Sequence, residues 1–488
     1  MKNILNRLFH LEEKQASIKT EIIGGIITFI AMCYILPVNT KILSDIPGFN
    51  ATGIFMVTAL LSFIITMIMG LVVNYPVLLS AGMGLNAYIA YTLPASFSWQ
   101  QKMILVTICG IIFFILSLTP VRRIIIEAIP KPLKLIISSA LGAFILFVGL
   151  KGTGIIADEG STLVTLGNFA DPAVIVGIVS IFITIALMFV KNKTISTLAV
   201  PIGILIAAVM GLTISLIMKE NGAIAYIDGS WVYTYEKAYG VTTTLPIAPW
   251  YKENPIHFAD FSGLKDVLFF GSLNGYTGEQ FGNDLLAVLS NPACYVGIFA
   301  MILVNIFDTT ATLIAVGGKH GFFDEQGRLL NYRKVILADA TGALICGPLG
   351  TSTVTSFAES NVGVAMGAKT GLMAVSGAFM FLLSAFIYPV FSIFTAGSVT
   401  ASALVCVGLT IMANSFSDID FKDRTIAFSA AITVLFAVLC YSISYGIGFG
   451  LITYSVIKTV QGKYKEVGLP IFIIAALFLT SFVLSAVI

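Results

Sequence analysis

Charge is what this chain has least of. Lys, Arg, Asp and Glu make up 11% of its 488 residues, against about a quarter in soluble domains, which leaves too few to clothe a normal solvated surface. The net charge of +2 gives no electrostatic case for a nucleic-acid partner. Histidine is scarce as well, with only His10, His257 and His320, all outside the apolar runs. Zinc binding and His-based catalysis inside the apolar body therefore have no support. The zinc-protease HExxH and the GxSxG nucleophile elbow are both missing. Gly363 to Thr370 comes close to the spacing of a phosphate-binding loop. Ala368 stands where that loop needs glycine, however, and no soluble strand precedes it. No enzyme, cofactor or metal is expected. Five of the six cysteines (Cys33, Cys109, Cys346, Cys406, Cys440) fall in apolar stretches as small hydrophobes and Cys294 borders a loop, so no disulfide framework is implied.

Apolar sequence is what the chain has in quantity. Hydrophobic residues reach 57% and the mean hydropathy is +0.97, which makes this an all-α polytopic membrane protein. Spans are predicted at 20–43, 51–73, 77–93, 102–120, 132–151, 172–190 and 195–218. They resume at 292–317, 333–348, 351–366, 371–392 and 397–414, with shorter pieces at 425–440, 443–458 and 468–487. The last piece is one apolar stretch beyond fourteen. Residues 1–19 lack a cleavable signal pattern and read as a cytoplasmic lead-in. Basic residues follow the fourth span (Arg122, Arg123), the sixth (Lys191, Lys193) and the eighth (Lys319, Arg328), in keeping with a cytoplasmic N-terminus. The polar stretch 219–291, with Tyr226, Trp231 and Trp250, reads as an extracellular loop carrying surface helices.

An internal repeat organises these spans. Subtracting 273 lays 293–316 on 20–43, 350–366 on 77–93 and 375–392 on 102–119. Seven spans per half put the two repeats in opposite orientation, the plan of secondary transporters with a midplane site at discontinuous helices. The third and tenth spans are short and rich in Gly, and the same offset sets Glu359 opposite Asn86. Asp308 and Glu359 are acids in apolar surroundings, where an ionised group costs about 2.5–3.5 kcal/mol even on mild scales, so both are candidate site residues. Each also has a structural reading. Asp308 could cap a neighbouring helix and Asn86 could bridge two of them. Asp339 is expected to be structural or near the cytoplasmic edge, because Arg333 and Lys334 are close in sequence, and Lys369 to be an interfacial cation. An anion or dicarboxylate carrier on the same plan, an intramembrane enzyme and a channel stand as alternatives. The first would have to tolerate two carboxylates facing an anion.

Several motifs carry a family resemblance. Thr28, Tyr34 and Val38-Asn39 in the first span, Asn74-Tyr-Pro76, Gly82-Met-Gly-Leu-Asn-Ala87, Phe307-Asp-Thr-Thr310 and Gly350-Thr-Ser-Thr with Glu359-Ser resemble the AzgA-like purine permeases of the nucleobase:cation symporters. Departures are Ala311 for a usual Gly, Asn361 for Ala and Lys369 for Arg. The resemblance implies fourteen spans in 7+7 inverted repeats. It also implies a core domain (20–120 and 292–392) that moves against a gate domain (132–218 and 397–487). It further implies a homodimer in the cell membrane that imports adenine, guanine or hypoxanthine with protons by alternating access. Asn86, Asp308 and Glu359 would contact the base, backbone at Phe357 and Ala358 would line it, and Asp308 and Glu359 would couple the proton. The chemistry of the side chains agrees, since an ionised carboxylate only accepts hydrogen bonds and a purine edge offers N–H donors.

Overall fold

Inside hydrocarbon each backbone N–H and C=O must find a partner within the protein, so apolar runs free of breakers become helices. A computed structural model describes residues 2–119, 130–159, 163–220, 224–227, 230–233, 261–317, 332–357 and 359–487. The first span is two helices, α1 (Ile18–Met32) and α2 (Ile35–Ser44). They part at Cys33 and Tyr34 because Pro37 brings no N–H and its ring crowds the carbonyl four residues back. Helix α3 (Ala51–Ile68) starts at Asn50, whose side chain accepts from the Gly53 amide. It widens into a π-turn over Met69–Val73 and stops at Asn74, a left-handed residue with φ 54°.

The third span is a strand followed by a half-helix, β1 (Leu79–Ala81) and α4 (Met83–Ala87), and it leaves through a π-helical turn at Tyr88–Thr92. Then come α5 (Trp99–Leu118), α6 (Lys131–Thr153), α7 (Pro172–Met188) and α8 (Ala199–Glu220). The second half repeats the plan with α9 (Pro292–Gly317), α10 (Tyr332–Leu349), β2 (Val354–Ser356), α11 (Ser360–Ala365) and α12 (Gly371–Phe386). It closes with α13 (Gly397–Ser417), α14 (Arg424–Leu439), α15 (Ile443–Val460) and α16 (Leu469–Val487).

Strands β1 and β2 pair antiparallel, Leu79 with Ser356, Ser80 with Thr355 and Ala81 with Val354. Both tenth-span and third-span sequences therefore enter extended, bond to each other at the centre of the molecule, and only then coil. The strands begin 275 positions apart, at Leu79 and Val354, while the helix caps Gly82 and Glu359 stand 277 apart. The 273-residue offset thus holds for whole spans and slips within them. Glu359 occupies the N-cap position of α11 and its structural counterpart is Gly82, whereas Asn86 lies a full turn inside α4.

Packing divides the helices into two groups. Helix α12 lies against α1 and α3, and α5 lies against α10; in the other group α6 and α7 pack on α13, with α8 beside them. Helices α14 and α15 form an antiparallel hairpin. Gln461 at the end of α15 donates to the Thr425 hydroxyl at the start of α14 at 3.2 Å, and Phe436 stacks on Phe449 with centroids 4.0 Å apart. Helix α16, the extra apolar stretch, packs on α15 through Phe482 and Phe449. Of the long polar loop, the described part holds a short hairpin (Ile224–Ile227 with Ser230–Tyr233) and a helix, Gly278–Ser290, that turns by 84° into α9. All six cysteines are free, and Cys294 is buried in the first turn of α9.

Candidate functional site

The strand crossing brings the carboxylate of Glu359 to the end of α1. Tyr34, in the break between α1 and α2, donates its hydroxyl to Glu359 Oε1 at 2.5 Å. The Glu359 carboxylate does not cap its own helix; it reaches across to the other repeat. The half-helix behind it is pinned from both sides. The Ser360 hydroxyl accepts from the Leu78 amide at 3.0 Å, and Thr28 Oγ1 accepts from the Gly363 amide at 3.2 Å. Phe357 is buried; its N–H donates to the Leu78 carbonyl, and its carbonyl accepts from the Ser360 amide with a second lone pair to spare. Ala358 lies outside the described residues.

Asn86 is fully buried, and its Nδ2 donates to Asn39 Oδ1 at 3.0 Å. Asn39 is the centre of a polar cluster in an apolar body. It donates to Thr58 Oγ1 at 2.9 Å and Thr351 Oγ1 at 3.2 Å, and accepts from Ser352 Oγ at 2.9 Å. Thr58 and Thr351 are bonded at 2.7 Å. Four segments meet here: α2, α3, α4 and the approach to β2. The sequence motif included Val38-Asn39 and Tyr34 but gave neither a role; both turn out to hold the candidate site residues from the first span.

Asp339 is fully buried, accepts from Thr309 Oγ1 at 2.8 Å, and accepts from the Ser356 amide and hydroxyl at 3.1 and 3.3 Å. These bonds give it a structural role, the first of the two readings the sequence offered. Helix α10 carries it inward past Arg333 and Lys334 to brace strand β2. Thr309 completes the brace by bonding Thr355 at 3.0 Å. Asp308 belongs to α9, next to Thr309, and its side chain lies outside the described set. One turn earlier on α9, Asn305 is 1% exposed and neither polar atom of its side chain has a partner. An unmet buried amide costs about 1–3 kcal/mol, which marks this face of α9 as one that awaits a polar partner.

Glu21, a further acid of the first span, is fully buried where α1 meets α12. It accepts from the amides of Lys369, Thr370 and Met373 at 2.7, 3.2 and 3.2 Å, so it closes the N-terminus of α12 rather than facing a ligand. Among the described residues no group of three His, Cys, Asp or Glu side chains could hold a metal ion.

The sequence profile of the xanthine/uracil permeases, described as "Permease family", matches residues 19–449. The chain belongs to that family. This permease is 35% identical to the guanine/hypoxanthine permease PbuO of Bacillus subtilis, over 96% of this chain and 98% of that one. It is 30% identical to the adenine permease AdeQ of Escherichia coli, over 98% and 96% of the two chains. With the nucleobase transporter PlAzg2 of Paenibacillus larvae it shares 29% identity over 90% and 77%. Its fold is that of the transmembrane domain of the cyanobacterial bicarbonate transporter BicA, with a TM-score of 0.57 at 12% identity over 88% of this chain and 97% of that one. It is also that of SLC26A9, with a TM-score of 0.54 at 11% identity over 94% and 69%. The resemblance read from the sequence is thus matched at the level of the family and its purine-permease relatives. The permease is a multi-pass membrane transporter on the inverted-repeat plan, not an enzyme.

Proposed function

We propose that this permease imports purine nucleobases of the adenine, guanine and hypoxanthine class across the cytoplasmic membrane together with protons. The observation that carries the reading is Glu359, a carboxylate at the mouth of a half-helix in a chain whose full-length relatives are named as guanine/hypoxanthine and adenine permeases. A purine presents ring and exocyclic N–H donors along a flat edge, and a carboxylate with one oxygen engaged by Tyr34 keeps its other oxygen for such a donor. Glu359 holds the base. Asn86 and Asp308 contact it, backbone at Phe357 and Ala358 lines it, and Asp308 is the partner that takes up the proton. The unmet amide of Asn305, one turn before Asp308 in α9, supports a polar ligand at this place.

The two packing groups are the moving parts of this reading. Residues 20–120 and 292–392 form a core that carries the site, and 132–218 and 397–487 form a gate against which it slides, in a homodimer with its N-terminus in the cytoplasm. An anion cargo of the kind named for BicA is disfavoured by charge, because the site offers an anion carboxylates and no described cation. The test is uptake of labelled adenine, guanine, hypoxanthine and bicarbonate into vesicles holding the purified permease, with and without a protonophore. Purine uptake that collapses with the proton gradient is expected. Purine accumulation that survives full collapse would refute symport, and transport of bicarbonate alone would refute the cargo.

A further inference from the structure

The cluster around Asn39 can be read proton by proton. Thr58 Oγ1 donates its one proton to the Ile54 carbonyl at 2.6 Å. Toward Asn39 and Thr351 it is therefore an acceptor, at 2.9 and 2.7 Å. The Thr351 proton is spent on Thr58, so Thr351 also accepts from Asn39, at 3.2 Å. Both amide protons of Asn39 are then fixed on the side of the two threonines, and Oδ1 is turned the other way. There it meets two donors, Ser352 Oγ at 2.9 Å and Asn86 Nδ2 at 3.0 Å. All four bonds an asparagine side chain commonly makes are filled, and every member of the cluster is fully buried.

The consequence falls on Asn86. Its Nδ2 is held against Asn39 Oδ1, and its Oδ1 accepts from the Ala87 amide at 2.7 Å. One Nδ2 proton and one Oδ1 lone pair remain, at fixed positions. An amide turned through 180° would exchange donor and acceptor and cost little in shape, so its orientation has to be imposed by neighbours. We propose that Asn39 is a positioning residue for transport, which sets the donor and acceptor ends of the Asn86 amide and through them the choice between purines. The inference rests on the reading of Asn86 as a contact to the base. Adenine and hypoxanthine are the discriminating pair, because their six-membered rings present opposite patterns at positions 1 and 6, acceptor and donor in one, donor and acceptor in the other. A locked amide distinguishes them, and a free amide serves both.

The experiment measures inhibition constants of adenine and hypoxanthine against labelled purine uptake in vesicles, for wild type, Asn39→Leu, Thr58→Val and Asn86→Ala. Thr58→Val keeps the shape of its side chain but removes the acceptor that orients Asn39, and it stands in should Asn39→Leu fail to fold. The ratio of the two constants is expected to move toward unity by about fivefold, the worth of one hydrogen bond, in both Asn39→Leu and Thr58→Val. A merely structural cluster would lower the amount of active protein and leave that ratio alone. An unchanged ratio in folded Asn39→Leu or in Thr58→Val, with a changed ratio in Asn86→Ala, overturns the role of Asn39 and spares the site. An unchanged ratio in Asn86→Ala overturns the site reading and this inference with it.

Discussion

Three acids inside the apolar body find hydrogen-bond donors in three ways, and the donors tell their roles apart. Glu21 takes three backbone amides and Asp339 takes an amide and two hydroxyls, all belonging to the protein. Glu359 takes one phenol hydroxyl. A carboxylate satisfied by its own fold is a clamp, and one left with an unengaged oxygen is available to a cargo. Tyr34→Phe removes the hydroxyl and nothing else, so it should raise the KM for purine roughly tenfold, the effect of losing a charge-assisted bond of about 1.5 kcal/mol. Melting in detergent should hardly change. Glu21→Ala should do the reverse, since it leaves three amides at the start of α12 without an acceptor. Thermal unfolding of the purified protein should show a loss of about 2–3 kcal/mol with the KM preserved. A raised KM in Glu21→Ala at unchanged stability would put that acid in the transport path instead.

At the scale of elements, the close crossing of α1 and α12 depends on a missing side chain. A Cβ at Gly25 would run into the Ser376 hydroxyl and the Met373 carbonyl, and one at Gly371 would meet the Gly70 carbonyl on the facing helix end. Small residues at such crossings let backbones approach where lipid offers no hydrophobic drive for helices to associate. Gly25→Ala should therefore cost about 1–3 kcal/mol by overpacking, read as a lower melting temperature. Gly282→Ala, where a Cβ meets nothing within 4 Å, is the control that should melt like wild type. These elements also show what a sequence can and cannot convey. The short third and tenth spans were legible because glycine and small polar residues interrupt apolar runs there. The three-residue strands inside them were not, because that length is too short for alternation to register and every residue of both strands is buried on all sides. Asp308 and Glu359 stood out as charges. Tyr34 and Asn39 did not, since a tyrosine and an asparagine are ordinary in membrane helices until their partners, more than 300 positions away, are in view.

At the scale of the whole molecule, the two packing groups meet at several places, Phe299 on Phe478 among them, and the fate of one other such contact during transport is predictable. The turn between α14 and α15 holds Tyr441 in a left-handed conformation with φ 50°. Its ring lies 5.5 Å from that of Tyr91, at the end of the third span, and 5.5 and 5.8 Å from Phe144 and Phe147 on α6. Lys151 stands over the same ring at 4.9 Å, Thr92 donates to the Tyr441 carbonyl at 3.4 Å, and the Tyr91 hydroxyl is tied to Asp45 at 2.7 Å. The acidic loop after α6 and the start of α3 lie toward this end, so under the proposed core-and-gate cycle, with the N-terminus in the cytoplasm, this contact is the seal of the outer mouth. Alternating access requires it to part once per cycle. In a background without native cysteines, the pair Thr92→Cys and Tyr441→Cys should form a disulfide under mild oxidation, cutting purine uptake to a small residue that a reductant restores. Excess purine on the outside should slow the cross-link, because cargo arriving from there binds the form in which this contact is open. A cross-linked protein that still transports at the full rate would mean that core and gate do not separate here, and the sliding motion would have to be sought along another face.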